Sequence, residues 1–178
     1  MDLRTERTKR SIANAFLELR KQKDIEKITV KELAELAYIN KATFYTHYHD
    51  IYDLSDQLED EFMDSIINEL PHTESIITDP ALATRELSDM LIAKNDITNI
   101  LFSGSRHNLL SEKIYAALIK YIVSNYPDEN RSLQKSIVLS IIIQGCFHAY
   151  QLFANDENRN EVTTILGEVG TCLKNNFL

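Results

Sequence analysis

Residues 41–48, KATFYTHY, set one lysine, two threonines, two tyrosines, one phenylalanine and one histidine into eight consecutive positions. Placed on a helix at about 100° per residue, Phe44 and Tyr48 share an inward face. Ala42 and Thr46 lie opposite, flanked by Thr43, Tyr45 and His49. That outer face is short, rich in hydroxyls and free of acids. It suits hydrogen bonds to phosphates and base edges, with alanine and threonine methyls meeting thymine methyls in the major groove of a duplex. A metal site is the poorer fit. His47 and His49 point about 200° apart on a helix and do not converge on one ion. His72, His107 and His148 are isolated and are expected to be structural. No Gly-rich phosphate loop, GxSxG or HExxH occurs, so no catalytic residue, metal or cofactor is expected.

These side chains reach a duplex only if two helices hold them at a steep angle across a tight turn. Thr29 with Glu32 three places on forms the S/T-x-x-E capping pattern, which opens a helix. The core face of that helix is Val30, Leu33, Ala34 and Ala37. Tyr38-Ile39-Asn40 interrupts it: Ile39 plugs the turn, and Asn40 is a good N-cap for a helix from Lys41 to about Tyr48. Upstream, from about Thr5 to Lys21, Ile12, Ala15, Phe16 and Leu19 make one apolar stripe, with Arg4, Arg7, Lys9 and Arg10 gathered at its start. Asp50 and Asp53 mark a fourth helix running to Leu70 before Pro71. Pro80 suits the first turn of a helix to about Lys94. Asp96 is expected to cap a short piece ending near Gly104, and long helices are expected over 108–126 (stopped by Pro127), 130–153 and 158–177. About nine helices result.

Four glycines and three prolines in 178 residues supply too few turns for a β-rich fold. The expected class is therefore all-α. A three-helix helix-turn-helix domain covers 1–50, a connecting helix starts at 51–70, and a larger helical bundle fills 71–178. Composition is that of a globular chain, 44% hydrophobic and 26% charged. The net charge of −8 divides unevenly. Residues 1–48 hold ten Lys/Arg against seven Asp/Glu, a net of +3; residues 49–178 hold nine against twenty, a net of −11. A basic head on an acidic body follows. The start, MDLRTERTKRS, shows no apolar leader. The run SIVLSIIIQGCF (136–147) is about a dozen residues against the roughly 20 a bilayer needs. Cys146 and Cys172 have no CxxC spacing. A cytoplasmic protein without a membrane span is expected.

The segment resembles the N-terminal domain of TetR-type (TetR/AcrR) transcriptional regulators. KATFYTHY matches their pattern K-x-T-[LF]-Y-x-[HY]-[FY], while RTERTKRSIANAFLEL (4–19) resembles their first helix and DIYDL (50–54) the start of their fourth. The resemblance covers roughly residues 5–65; the rest is similar only in being helical and of suitable length. It implies that Thr29 approaches a phosphate while capping, and that Lys31 reaches the backbone or a base at the groove edge. Lys41, Ala42, Thr43 and Tyr45 would contact bases or phosphates, and Thr46 and His47 the backbone. Arg4, Arg7, Lys9 and Arg10 are candidates for phosphate or minor-groove contacts, or for a merely solvated helix start. Two positions depart from the family: Tyr38 stands where Gly is usual, and Ile51 where a lysine commonly lies near a phosphate. A weaker electrostatic grip is expected.

One such head grips few phosphates, so a homodimer on a palindromic operator is expected, with half-sites roughly 34–36 Å apart. The resemblance places its interface in the last two helices, about 130–177. SIVLSIIIQGCFHAYQLF (136–153) is apolar nearly all round, and Gly145, Ala149, Gly167 and Gly170 permit close crossing; an intrachain core helix is the alternative. If the family's logic holds, the body between senses a small-molecule effector. Candidate pocket residues are Met90, Phe102, Tyr115, Phe147 and Tyr150, with His107, Gln144 or His148 orienting the ligand; each is otherwise plain core. The rival reading is a helical protein-interaction module governed by a protein partner.

Overall fold

The computed structural model describes residues 3–126, 132–155 and 157–177. Among them the chain forms ten α-helices and no strand. They are α1 Leu3–Arg20, α2 Val30–Leu36, α3 Lys41–Tyr45, α4 Ile51–Asn68 and α5 Ser75–Thr78, then α6 Pro80–Ala93, α7 Asn95–Leu101, α8 Leu109–Asn125, α9 Leu133–Phe153 and α10 Arg159–Phe177. Short 3-10 turns cover Ile25–Lys27 and Gly104–Arg106. The all-α class is as expected, with differences in detail. The single turn α5 carries no sequence periodicity long enough to announce it. Asp96 lies within the first turn of α7 and does not cap it. Asp79 caps α6, accepting from Leu82 N at 3.1 Å, with Pro80 in the first turn. Pro127 and Asn130, where one helix was expected to end and the next to begin, lie outside the described residues; α9 starts at Leu133 under a Ser132 cap.

Contacts divide the chain into two units, Met1–Phe62 with Asn95–Leu109, and Met63–Lys94 with Leu110–Leu178. The expected division at 50 and 71 does not anticipate the placement of α7 and the turn after it in the first unit. In that unit Ile12, Phe16, Leu33, Phe44 and Leu54 are wholly buried, each worth about 1.5–3 kcal/mol of transfer free energy. A charged cluster is buried with them. Glu59, without exposed surface, accepts from Arg106 Nε at 2.8 Å and from Ser55 Oγ at 2.7 Å, and Arg106 also bonds Asp56. Burial works against the Arg106 charge, but hydrogen bonds to Glu59 and Asp56 outweigh it and raise the pKa. Arg20 donates to Ser103 Oγ at 2.7 Å, and its burial lowers its pKa.

In the second unit α10 lies against α6 and α9. A Cβ on Gly167 would stand 2.3 Å from the Ala81 Cβ and 2.5 Å from its Cα, so glycine alone allows this crossing. Val138, Ile142 and Cys146 of α9 pack with Leu166 and Leu173 of α10. The apolar stretch is longer than the dozen residues expected. α9 has 21 residues, and an 18-residue window within it has a mean hydropathy of 1.5, enough by length and composition alone to cross a membrane. Its apolarity divides between that core and an exposed stripe.

Candidate nucleic-acid interface

The helix pair is fixed by local hydrogen bonds. Thr29 Oγ1 accepts from Glu32 N at 3.2 Å, and Asn40 Oδ1 accepts from Thr43 N at 2.7 Å. Each cap satisfies one of the N–H groups a helix start leaves open. The Glu32 carboxylate does not reach back to close the box; it binds Lys23 Nζ at 2.6 Å. Between the helices, Ile39 N bonds Ala34 O at 2.9 Å and Tyr38 N bonds Glu35 O at 3.2 Å. That pairing is a Schellman motif, and it requires Tyr38 at φ 55°, the one positive-φ residue other than glycine among those described. The Tyr38 ring is 94% exposed. Ser11 Oγ donates to Ala37 O at 2.9 Å, tying α1 to the end of α2.

α3 is anchored from below and ends early. Phe44 and Tyr48 are buried with ring centroids 5.7 Å apart. Burial, with the charges of Glu61, Asp53 and Glu6, pushes the Tyr48 phenol up to about 12. The helix stops at Tyr45, not near Tyr48. Thr46 Oγ1 donates to Thr43 O at 2.7 Å, and His47 N takes Phe44 O at 2.9 Å. The i→i+3 bond of His47 N tightens the last turn, as helix ends commonly do. Asp53 then accepts from His49 N at 2.8 Å, a bond that, with one from Gln57, lowers its pKa.

The outward rim is therefore Lys41, Ala42, Tyr45 and Thr46, all exposed, with Thr29 and Lys31 exposed on the preceding element. Tyr45 is 57% exposed and meets Phe44 edge-on at 5.5 Å. Thr43 and His47 are half-buried, and the Thr43 hydroxyl is already engaged with Asn40 Oδ1 at 2.9 Å. Arg7, Lys9, Arg10 and Lys41 have no ion-pair partner among the described residues, and Lys31 has only Glu35 at 4.0 Å. Ile51, where a phosphate-contacting lysine would stand, is buried in the core.

The second unit holds an apolar chamber of about 60 Å³, walled by residues including Leu87, Leu118, Ile142 and Phe147. Thr84, Ser88 and Tyr150 add hydroxyls to its lining. Thr84 and Ser88 spend their protons on carbonyls of their own helix, Pro80 O and Thr84 O, each at 2.7 Å. Burial raises the Tyr150 pKa. Of the eight candidate pocket residues, Phe147 and Tyr150 line this chamber; the other six do not. Met90 and Tyr115 are half-buried elsewhere, and Gln144 and His148 are exposed on α9. Phe102 (buried) and His107 (exposed) belong to the first unit. Sequence reasoning overlooked Thr84 and Ser88; their spacing of four on one helix face was the available signal.

No protein-family model matches this chain, and no curated protein matches it. A solved structure does: the TetR family repressor AlkX from Dietzia sp. strain DQ12-45-1b, implicated in biodegradation of n-alkanes. The TM-score is 0.57 over 94% of this chain and 98% of that one, with 16% sequence identity. At that identity the likeness is one of fold: the chain has the all-α architecture of a TetR family repressor.

Proposed function

We propose that this chain is a DNA-binding transcriptional regulator, a ligand-responsive repressor that grips a palindromic operator as a cytoplasmic homodimer. The observation that carries the reading is the rim at Lys41, Ala42, Tyr45 and Thr46. It is exposed, free of acids and held rigid by Asn40 above and by Phe44 and Tyr48 below. Lys31, Lys41 and the α1 cations supply phosphate contacts, and the α3 side chains read base edges. Dimerisation is supported by the exposed apolar residues Leu133, Ile137, Ile141 and Leu152 on α9 and Ile165 and Val169 on α10. A Cβ on Gly145 would meet no heavy atom within 4 Å, which leaves room for a neighbouring helix. The chamber in the second unit supports an effector. A ligand that lowers DNA affinity by some factor has its own affinity lowered equally by DNA.

The test is fluorescence anisotropy on duplexes drawn from upstream of the chain's own coding sequence. Binding should fall steeply with salt, with a log–log slope of about 0.9 per neutralised phosphate. Tyr45→Ala and Thr43→Ala should weaken it while leaving the helical circular dichroism signal intact. Absence of binding to every duplex rejects the regulator and favours a helical protein-interaction module. Unchanged binding by both variants rejects the assignment of the rim.

A further inference from the structure

The chamber of the second unit offers one kind of hydrogen-bonding group. Among the described residues its lining carries four polar side chains, Thr84, Ser88, Cys146 and Tyr150, and no charged one. The protons of all four are committed. Thr84 Oγ1 donates to Pro80 O and Ser88 Oγ to Thr84 O, each at 2.7 Å, and the Cys146 thiol donates to Leu166 O at 3.6 Å. The Tyr150 hydroxyl is hydrogen-bonded to Ser88 and Arg159. A guanidinium only donates, and the Ser88 proton is spent on a carbonyl, so Tyr150 accepts from Arg159 and gives its own proton to Ser88 Oγ. Thr84 Oγ1 then keeps both of its acceptor sites and Ser88 Oγ keeps one. The side chains therefore present acceptors to a ligand, and no donor.

That one-sidedness restricts what fits. A carboxylate or an ammonium would lose its water and find no counter-charge in the lining, which is costly. A ketone, ether or ester brings an acceptor to acceptors and buries it unsatisfied. A hydrocarbon suits Leu87, Leu118 and Phe147 but leaves the two oxygens bare. A neutral molecule with an apolar body and one hydroxyl answers both: the body displaces water from the walls, and the O–H donates to Thr84 or Ser88. Size follows from the volume. A single water needs about 10–15 Å³, so a chamber of about 60 Å³ takes a body of about one ring. We infer that the second unit binds a small neutral alcohol or phenol, its hydroxyl donating to Thr84 Oγ1 or Ser88 Oγ and its apolar body against Leu87, Leu118 and Phe147. This names the effector class for the ligand-responsive regulator proposed above, and it rests on that reading only for its biological role.

Isothermal titration of the full chain at neutral pH with phenol, benzaldehyde and benzoate tests it directly, since the three share a ring and differ in being donor, acceptor and anion. Phenol should bind, benzaldehyde about fivefold or more weakly, and benzoate not at all. Thr84→Val keeps the shape and removes one acceptor; verified as folded by circular dichroism, it should weaken phenol and leave benzaldehyde unchanged. Ser88→Ala removes the other acceptor and releases the Tyr150 proton, so it should weaken phenol and strengthen benzaldehyde. Benzaldehyde or benzoate binding as tightly as phenol, a preference for phenol that survives both variants, or no phenol binding overturns the inference. The two readings fail separately. If no phenol binds while a duplex is still shifted, only this inference is lost. If phenol binds but does not alter the duplex affinity, the hydroxyl site stands and the ligand-responsive reading falls.

Discussion

Replacing Tyr38 with glycine should stabilise the protein. At φ 55° the Tyr38 backbone occupies the left-handed region, which costs an L-residue about 1–2 kcal/mol. Its N–H bond to Glu35 O and the Ile39 bond to Ala34 O are main-chain bonds, and glycine keeps both. With the ring 94% exposed, little packing is lost. Against the relief stands the greater freedom glycine has in the unfolded chain, about 0.5–1 kcal/mol. The net gain is about 0.5–1 kcal/mol, or about 1–4 °C in Tm for a chain of this length. Urea unfolding at fixed protein concentration gives the number: the midpoint should rise with no change in the m-value. Tyr38→Ala is the control, since it removes the ring but keeps the strained φ, and its midpoint should stay near wild type. A glycine variant that unfolds at lower urea, or an alanine variant that gains as much as glycine, refutes the strain argument. If glycine instead gains stability and loses duplex affinity, the exposed ring serves the DNA contact, and the strain is retained for it.

Three further outcomes are expected. Arg106→Met strands the buried Glu59 carboxylate and should cost about 3–5 kcal/mol in urea unfolding, while adding Glu59→Leu to it should recover much of that loss. Gly167→Ala, which in an ordinary helix interior would stabilise, should here lower stability by about 1–3 kcal/mol, because its methyl would overlap the Ala81 backbone; thermal melts decide the sign. His72 Nδ1 pairs with Glu86 Oε1 at 2.6 Å, and that hydrogen bond and charge raise its pKa above the usual value of about 6.5. Its stabilisation is therefore complete below that unfolded value and disappears as pH rises through the folded one. The stability gap between wild type and His72→Gln should be widest just below that unfolded value and close in alkali.

Local signals were legible in advance and distant ones were not. Thr29 and Asn40 announced their caps because each bond spans three residues, and the inward places of Phe44 and Tyr48 followed from periodicity alone. α3 is shorter than the sequence predicts, because the change to i→i+3 bonding after Tyr45 leaves no mark in an apolar pattern. Arg106 and Glu59 are 47 residues apart, and charged residues on helices ordinarily suggest solvent. A clue existed: Ile51, Ser55, Glu59 and Met63 follow at steps of four, which puts the acid on a buried stripe that demands a cation. The chamber defeated sequence reasoning for a different reason. Aromatic and apolar residues on α6, α8 and α9 are alike in composition, and only packing decides that Phe147 and Tyr150 face a void while Met90 and Tyr115 do not.

The discontinuous make-up of the first unit bears on how the chain is born. Glu59 leaves the ribosome long before Arg106, and the intervening residues 63–94 belong to the other unit. A nascent head of only its first four helices lacks the guanidinium that hydrogen-bonds this buried carboxylate, so it stays loose until Arg106 emerges some four dozen residues later. Translation pauses within that interval, or fragments cut there, would yield a head that reaches its final state late or never, even though every residue of the duplex-facing rim has already been made.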